Sequence, residues 1–307
     1  MKKNPLVLLL AISTVFFGLF LVFVFVTMGN LVKDKSLLSR GGVSVGVVRI
    51  NGAIMDSQRA LKEFKEFEEN SSIKGIIVRI DSPGGAVGPS QEIHDAIIRV
   101  RKSKPVVASF QSVAASGGYY IAVAADKIVS NAGTLTGSIG VIMSMANLSE
   151  LYKWAKIDRY NIKSGKFKDV GADNRPMTEE ERKLVQDLID NVYGQFLKAV
   201  ASGRKLPEER VRPYADGRVL SGEQALAAGL VDKLGGIDVA IDYIKELAKI
   251  EAKQKVNLVL PEPKRRSVWE MLGSGAVDSI MAALEERLPL DMKELSPGGA
   301  SKGLFFF

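Results

Sequence analysis

The first apolar run of the chain spans Leu6 to Met28 and is interrupted only by Ser13, Thr14, Gly18 and Thr27. A helix of that length, rising about 1.5 Å per residue, matches a bilayer core of about 30 Å. The run exceeds the apolar stretch of most cleaved signal peptides, and Thr27-Met28-Gly29-Asn30 offers no small-x-small cleavage site. The expectation is therefore an uncleaved transmembrane anchor over 6–28 behind a short cytoplasmic segment, 1–5, with a cleaved signal peptide as the alternative. Lys2 and Lys3 on one side nearly balance Lys33, Lys35 and Arg40 on the other, so charge barely decides the orientation.

Residues 29–42 are polar and read as a juxtamembrane linker. The β-branched run Val43 to Ile50, closed by Asn51-Gly52, predicts a strand. Leu61, Phe64 and Phe67 recur at three-residue spacing among charges and predict an amphipathic helix over 57–69. The run Ile73 to Ile80 predicts the next strand, Ile93, Ala96, Ile97 and Val100 the next buried helical stripe, and Val106 to Phe110 a third strand. A small-residue helix is expected over Gly117 to Ala125, with strands at Lys127 to Ser130 and Gly140 to Ala146 separated by a turn-rich Asn131 to Ser138. Thr178-Glu179-Glu180-Glu181 resembles a capping box ahead of a long helix to about Ser202, and helices follow near 221–228 and 236–250. Pro261-Glu262-Pro263 then breaks the pattern before an amphipathic segment, Ser267 to Leu288, and an apolar end, Phe305-Phe306-Phe307. Strands alternating with helices place the chain in the α/β class, built from repeated β-β-α units. No internal repeat is visible, so one catalytic unit is expected over 43–257, with 258–307 as a C-terminal helix and tail.

With 307 residues, 46% of them apolar and 25% charged, the chain can bury a sizeable core. The net charge of +7 is spread along the sequence apart from Lys264-Arg265-Arg266, with no basic run interleaved with aromatics, which argues against nucleic acid as a partner. The absence of cysteine excludes disulfides and thiolate metal sites, and a single histidine makes a zinc site improbable.

That histidine count also shapes the chemistry. Ser116 stands just ahead of Gly117-Gly118 and an apolar helix, where a nucleophile is commonly placed. A serine hydroxyl needs a base to take its proton, and a lysine amine kept neutral by burial can serve. Lys163, Lys166 and Lys168 compete for that role, and spacing does not choose among them. The loop Asp81-Ser82-Pro83-Gly84-Gly85 follows a strand, so that Gly84 or Gly85, with Gly117, could offer N–H groups to a tetrahedral oxyanion. Asp81 and Asp169 would spoil a neutral lysine if they reached it, so their side chains are expected to point elsewhere.

Six segments in order resemble the signal peptide peptidase A family of membrane serine proteases in its half-length form: Ser82 to Gly85, Ala114 to Tyr120, Ala125 to Ile128, Thr134 to Val141, Ser164 to Asp169 and Ala215 to Val219. The resemblance covers about residues 43–245. It implies Ser116 as nucleophile, Lys168 as general base and Ser138 as the hydroxyl that orients the lysine. It further implies a spiral fold of the Clp protease and crotonase group, assembly into homo-oligomeric rings, and hydrolysis of apolar peptides such as cleaved signal peptides at the outer face of the cytoplasmic membrane. No cofactor or metal is implied.

Three alternatives stay open. His94 could belong to a Ser-His-Asp triad as in the Clp protease, although there the histidine follows the serine and here it precedes it; the simpler reading is a helix-surface residue. An acyl-CoA enzyme of the crotonase group would use the same glycines but not Ser116. An inactive membrane scaffold would keep the fold alone.

Overall fold

A computed structural model describes residues 13–23 and 42–261. Contacts divide the chain into two units, Met1–Val43 with Lys253–Asn257, and Ser44–Ala252 with Leu258–Phe307. In the first, residues 13–23 form helix α1, whose Val15, Phe16, Leu19, Phe20 and Phe23 side chains are exposed. The remainder of the expected anchor, most of the linker, the Ser267 to Leu288 segment and the Phe305 to Phe307 end lie outside the described residues. Among the described residues no helix is long and apolar enough to cross a membrane.

The second unit is mixed α/β. Strands β1 (Val43–Asn51), β2 (Ile73–Ser82) and β3 (Val106–Ala115) run parallel, joined by helices α2 (Gln58–Glu69) and α3 (Val87–Val100). Because crossover helices cover a parallel sheet, its strands read as near-continuous apolar runs. Val78, beside Val48 on one side and Ala108 on the other, is fully buried, and Phe64, Phe67, Ile93 and Ile97 pack over that face. Helix α7 (Ile237–Leu247) packs on β2, β3 and β4 (Lys127–Ser130). A Cβ added at Gly75 would lie 2.8 Å from Ile244 Cγ2, so the missing side chain sets the distance of that helix from the sheet.

Strand β3 divides its pairing. Val107 to Ser109 pair with β4, whereas Val113 to Ala115 pair with a second strand, β5 (Leu135–Gly137). β5 in turn pairs antiparallel with β6 (Val219–Ser221). The sequence reading had a turn where β5 lies and a strand at Gly140 to Ala146, where none forms. The physical reason is partnership: both edges of β5 are taken by β3 and β6, so the segment after it has no ladder to join, and its Ile142 and Met145 remain exposed. Helix α4 (Gly117–Ala122) stops three residues short of the expected end, and a short helix, α5 (Ser149–Trp154), was not anticipated. Helix α6 (Glu179–Arg204) begins with the expected capping box, in which Thr178 Oγ1 accepts from Glu181 N–H and the Glu181 carboxylate accepts from Thr178 N–H.

Candidate active site

Ser116 occupies the turn from β3 into α4 with φ 53° and ψ −119°, a conformation costly for any residue with a Cβ. The turn resembles a nucleophile elbow, in which a sharp strand-to-helix reversal presents a serine at the end of a sheet. Its hydrogen bonds fix it from both sides: Ser116 N–H donates to Gly137 O (2.9 Å), and Tyr120 N–H donates to Ser116 O (2.8 Å).

The β3–β5 register carries Ser138 to the same place. Ala115 lies opposite Gly137, so Ser116 and Ser138 each follow the last paired residue of their strands. Ser138 also has a positive φ, 50°, and its N–H donates to Arg218 O (2.8 Å). Gly217 N–H donates to Ile139 O (3.1 Å), and Asp216 pairs with Arg218 at 2.6 Å. The Ala215 to Val219 motif thus serves the backbone that holds Ser138. Both serines line a cavity of about 640 Å³, walled by Pro83, Ile142, Ile189 and Tyr193 and bordered by Asp190 and Arg212.

Glycines let the 82–85 loop and the Ser116 turn approach backbone to backbone. A Cβ on Gly117 would lie 2.7 Å from Ser90 Oγ and 3.2 Å from the Gly85 nitrogen, and one on Gly118 would lie 2.9 Å from Ser82 O. Gly85 and Gly117 therefore stand together. Gly84, at φ 108°, donates its N–H to Ser82 Oγ (3.1 Å), whose hydroxyl donates to Gly52 O (2.6 Å). A Cβ on Gly85 would meet Ile54 O at 2.2 Å, a backbone atom that no rotamer change can move aside. Gly85→Ala is expected to cost roughly 2 kcal/mol or more and to abolish turnover. Gly88, with nothing within 4 Å of an added Cβ, is the control: Gly88→Ala leaves the melting temperature unchanged or slightly higher. Thermal melts and peptide turnover of the two variants check this.

The three candidate lysines differ sharply. Lys163 binds Asp169 and donates to Lys166 O (3.0 Å), and Lys166 binds Glu180. Lys168 is exposed, and among the described residues its amine makes no hydrogen bond or ion pair. The structure does not bring it to the cavity that holds Ser116. Asp81 accepts from Val113 N–H (3.1 Å), and Asp169 turns to Arg175 and Lys163, so neither carboxylate is on Lys168.

Arg175 donates to both Glu181 carboxylate oxygens, at 2.6 and 2.8 Å, and to Asp169 Oδ1 at 2.9 Å. These bonds, with the Thr178 N–H, hold the Glu181 carboxyl at about 2, and the Arg175 and Lys163 bonds hold Asp169 well below the usual carboxylate range. A carboxylate so depressed stabilises the fold fully above its ordinary value, about 4.3 for glutamate, and the contribution disappears as pH falls toward 2. Nothing in the sequence singled out Arg175; only the capping box marked Glu181.

His94 is half-buried on α3 rather than a fully solvated surface residue. Its side chain is 15% exposed, it packs on Tyr120 with ring centroids 4.9 Å apart, and its Nδ1 lies 3.0 Å from Asp95 Oδ1. It does not line the cavity with Ser116. Among the described residues no group of side chains could hold a metal ion.

Comparison with known proteins bears on the same residues. The profile of peptidase family S49 matches residues 98–251, and that of the Clp protease matches 46–148; both include Ser116. A Synechocystis protein named as a protease is 40% identical over 263 residues, covering 84% of this chain and 94% of its own. An Enterococcus faecium protein named as a signal peptide peptidase SppA is 34% identical over 232 residues, covering 70% of this chain and 67% of its own. The chloroplast serine protease SPPA of Arabidopsis thaliana is 35% identical over 268 residues, covering 84% of this chain and 40% of its own. With a strained serine at a strand-to-helix turn, a second serine beside it and these relatives, the chain belongs to peptidase family S49, the signal peptide peptidase A family, and is a serine-type peptidase.

Proposed function

We propose that this chain is a membrane-anchored endopeptidase that hydrolyses apolar peptides, cleaved signal peptides among them, at the outer face of the cytoplasmic membrane by Ser116–Lys168 chemistry. The observation that carries the reading is the strained backbone of Ser116, opening on a cavity shared with Ser138. Ser116 Oγ attacks the peptide carbonyl and its proton passes to the Lys168 amine. The oxyanion accepts from the N–H groups of Gly85 and Gly117; Gly84, whose N–H is taken by Ser82, contributes its backbone conformation. Lys168 returns the proton to the leaving amine, and the acyl-enzyme is then hydrolysed by a water that the same lysine deprotonates. Ser138 orients the amine. Ion pairing of Lys163 and Lys166 leaves Lys168 as the base.

A lysine serves as a base where burial keeps its amine neutral. The segment preceding Lys168 supports such burial: Trp154, Ile157, Tyr160 and Ile162 are 54 to 94% exposed, apolar side chains suited to contact with a second copy. We take Lys168 to complete the site of a neighbouring protomer in a homo-oligomeric ring, where it is buried against Ser116. The divided pairing of β3 supports the spiral of β-β-α units that such rings use. The apolar run Leu6 to Met28 supports the anchor.

Co-expression of full-length Ser116→Ala and Lys168→Ala chains tests the sharing. Random assembly is expected to restore about a quarter of wild-type turnover, the fraction of neighbours that join an intact Ser116 to an intact Lys168. No restoration would put both residues of each site in one chain. Because His94 is outside the cavity, His94→Gln is expected to keep wild-type turnover; total loss with the fold preserved would favour the triad.

A further inference from the structure

Residues 164–178 form turns and bends. Around Lys168 the backbone bonds are short-range, Lys168 N–H to Gly165 O (3.2 Å), Val170 N–H to Phe167 O (3.2 Å) and Ala172 N–H to Asp169 O (3.0 Å), whereas farther along Asp173 O accepts from Leu148 N–H (2.6 Å). A lysine followed directly by an aspartate invites the two to pair, and a carboxylate on the amine favours the ammonium form that cannot act as a base.

Arg175 answers both problems, alongside the Lys163 ammonium that also pairs with Asp169. Arg175 Nη2 donates to Asp169 Oδ1 (2.9 Å) and Asp169 O (3.3 Å), and Nε donates to Asp169 Oδ2 (3.3 Å). The same group grips Glu181 through two bonds, and Glu181 is only 3% exposed and locked in the capping box of α6. Helix α6 then runs to the cavity, where Ile189, Asp190 and Tyr193 form part of the wall. The Lys168 loop is thereby fastened to α6 through its neighbour Asp169, beside a second, exposed tie from Lys166 to Glu180.

We propose that Arg175 is a positioning residue of the peptidase: it fixes the Lys168 loop to the start of α6 and occupies the Asp169 carboxylate so that the carboxylate does not pair with Lys168. This inference rests on Lys168 as the base. Arginine suits the task because its planar fork binds two carboxylates at once, which a lysine ammonium does not reproduce.

The test uses full-length protein in detergent with an apolar peptide substrate. Arg175→Ala and the fold-conserving Arg175→Lys are both expected to lower kcat about tenfold or more with KM within about twofold, as the base is lost while the substrate cavity is kept. Adding Asp169→Asn to Arg175→Lys is expected to recover part of the loss, because the released carboxylate can no longer pair with Lys168. A role in folding alone would not give that recovery. Wild-type kcat in Arg175→Lys, or a loss that Asp169→Asn does not relieve, overturns the proposal. Lys168→Ala run alongside separates the two readings: if it retains activity the assignment of the base fails, and if it is inactive while Arg175→Lys matches wild type only the role of Arg175 fails.

Discussion

Replacing Ser116 with glycine is expected to abolish peptide hydrolysis while making the protein more stable. The loss follows from removal of the nucleophile, and catalysis without it should fall by at least about a thousandfold. The gain in stability follows from the backbone. At φ 53° and ψ −119° a Cβ is strained by about 1 kcal/mol or more, and glycine occupies that region freely. Ser116→Ala separates the effects, since it removes the hydroxyl but keeps the Cβ: it should be as inactive as the glycine variant and melt at a lower temperature. Equal melting temperatures would show that the turn stores no strain.

Replacing Lys168 with alanine is expected to cost at least about a hundredfold in kcat with the fold intact, the scale of a lost general base. Among the described residues Lys168 makes no ion pair, so its removal breaks none of their bonds. Lys166→Ala is the informative neighbour. Lys166 pairs with Glu180 where both side chains are more than half exposed, and such a pair is worth about 0 to 1 kcal/mol. Turnover of Lys166→Ala should stay within a fewfold of wild type. Steady-state kinetics on the two variants, with circular dichroism as the check on folding, decides between the lysines.

Much of the parallel sheet could be read from the sequence because each central strand is buried on both faces and shows as an unbroken apolar run. Ser116 was legible for a related reason, as its glycines mark a place where backbones must come close. Ser138 was harder. Its position depends on β5, three residues whose Leu135, Thr136 and Gly137 carry no strand signal and are extended only because β3 and β6 flank them. The segment 140–146 erred in the opposite sense: its apolar residues promised a strand, but a strand also needs a free edge. The choice among Lys163, Lys166 and Lys168 was illegible because all three share one polar loop, and their difference lies in contacts to Asp169 and Glu180 that spacing does not encode. Arg175 escaped notice for the same reason, since its partners meet only when the loop folds back on α6. His94 packs against Tyr120 because α3 and α4 lie together, which helical periodicity alone does not reveal.

The most direct measurement is covalent labelling of the full-length protein with a fluorophosphonate, followed by intact mass and peptide mapping. The account predicts a single adduct on Ser116, formed rapidly in wild type and in Lys166→Ala and at least about a hundredfold more slowly in Lys168→Ala, with no adduct on Ser138. An adduct on another serine, or hydrolysis of peptide by protein that the reagent does not label, would contradict it.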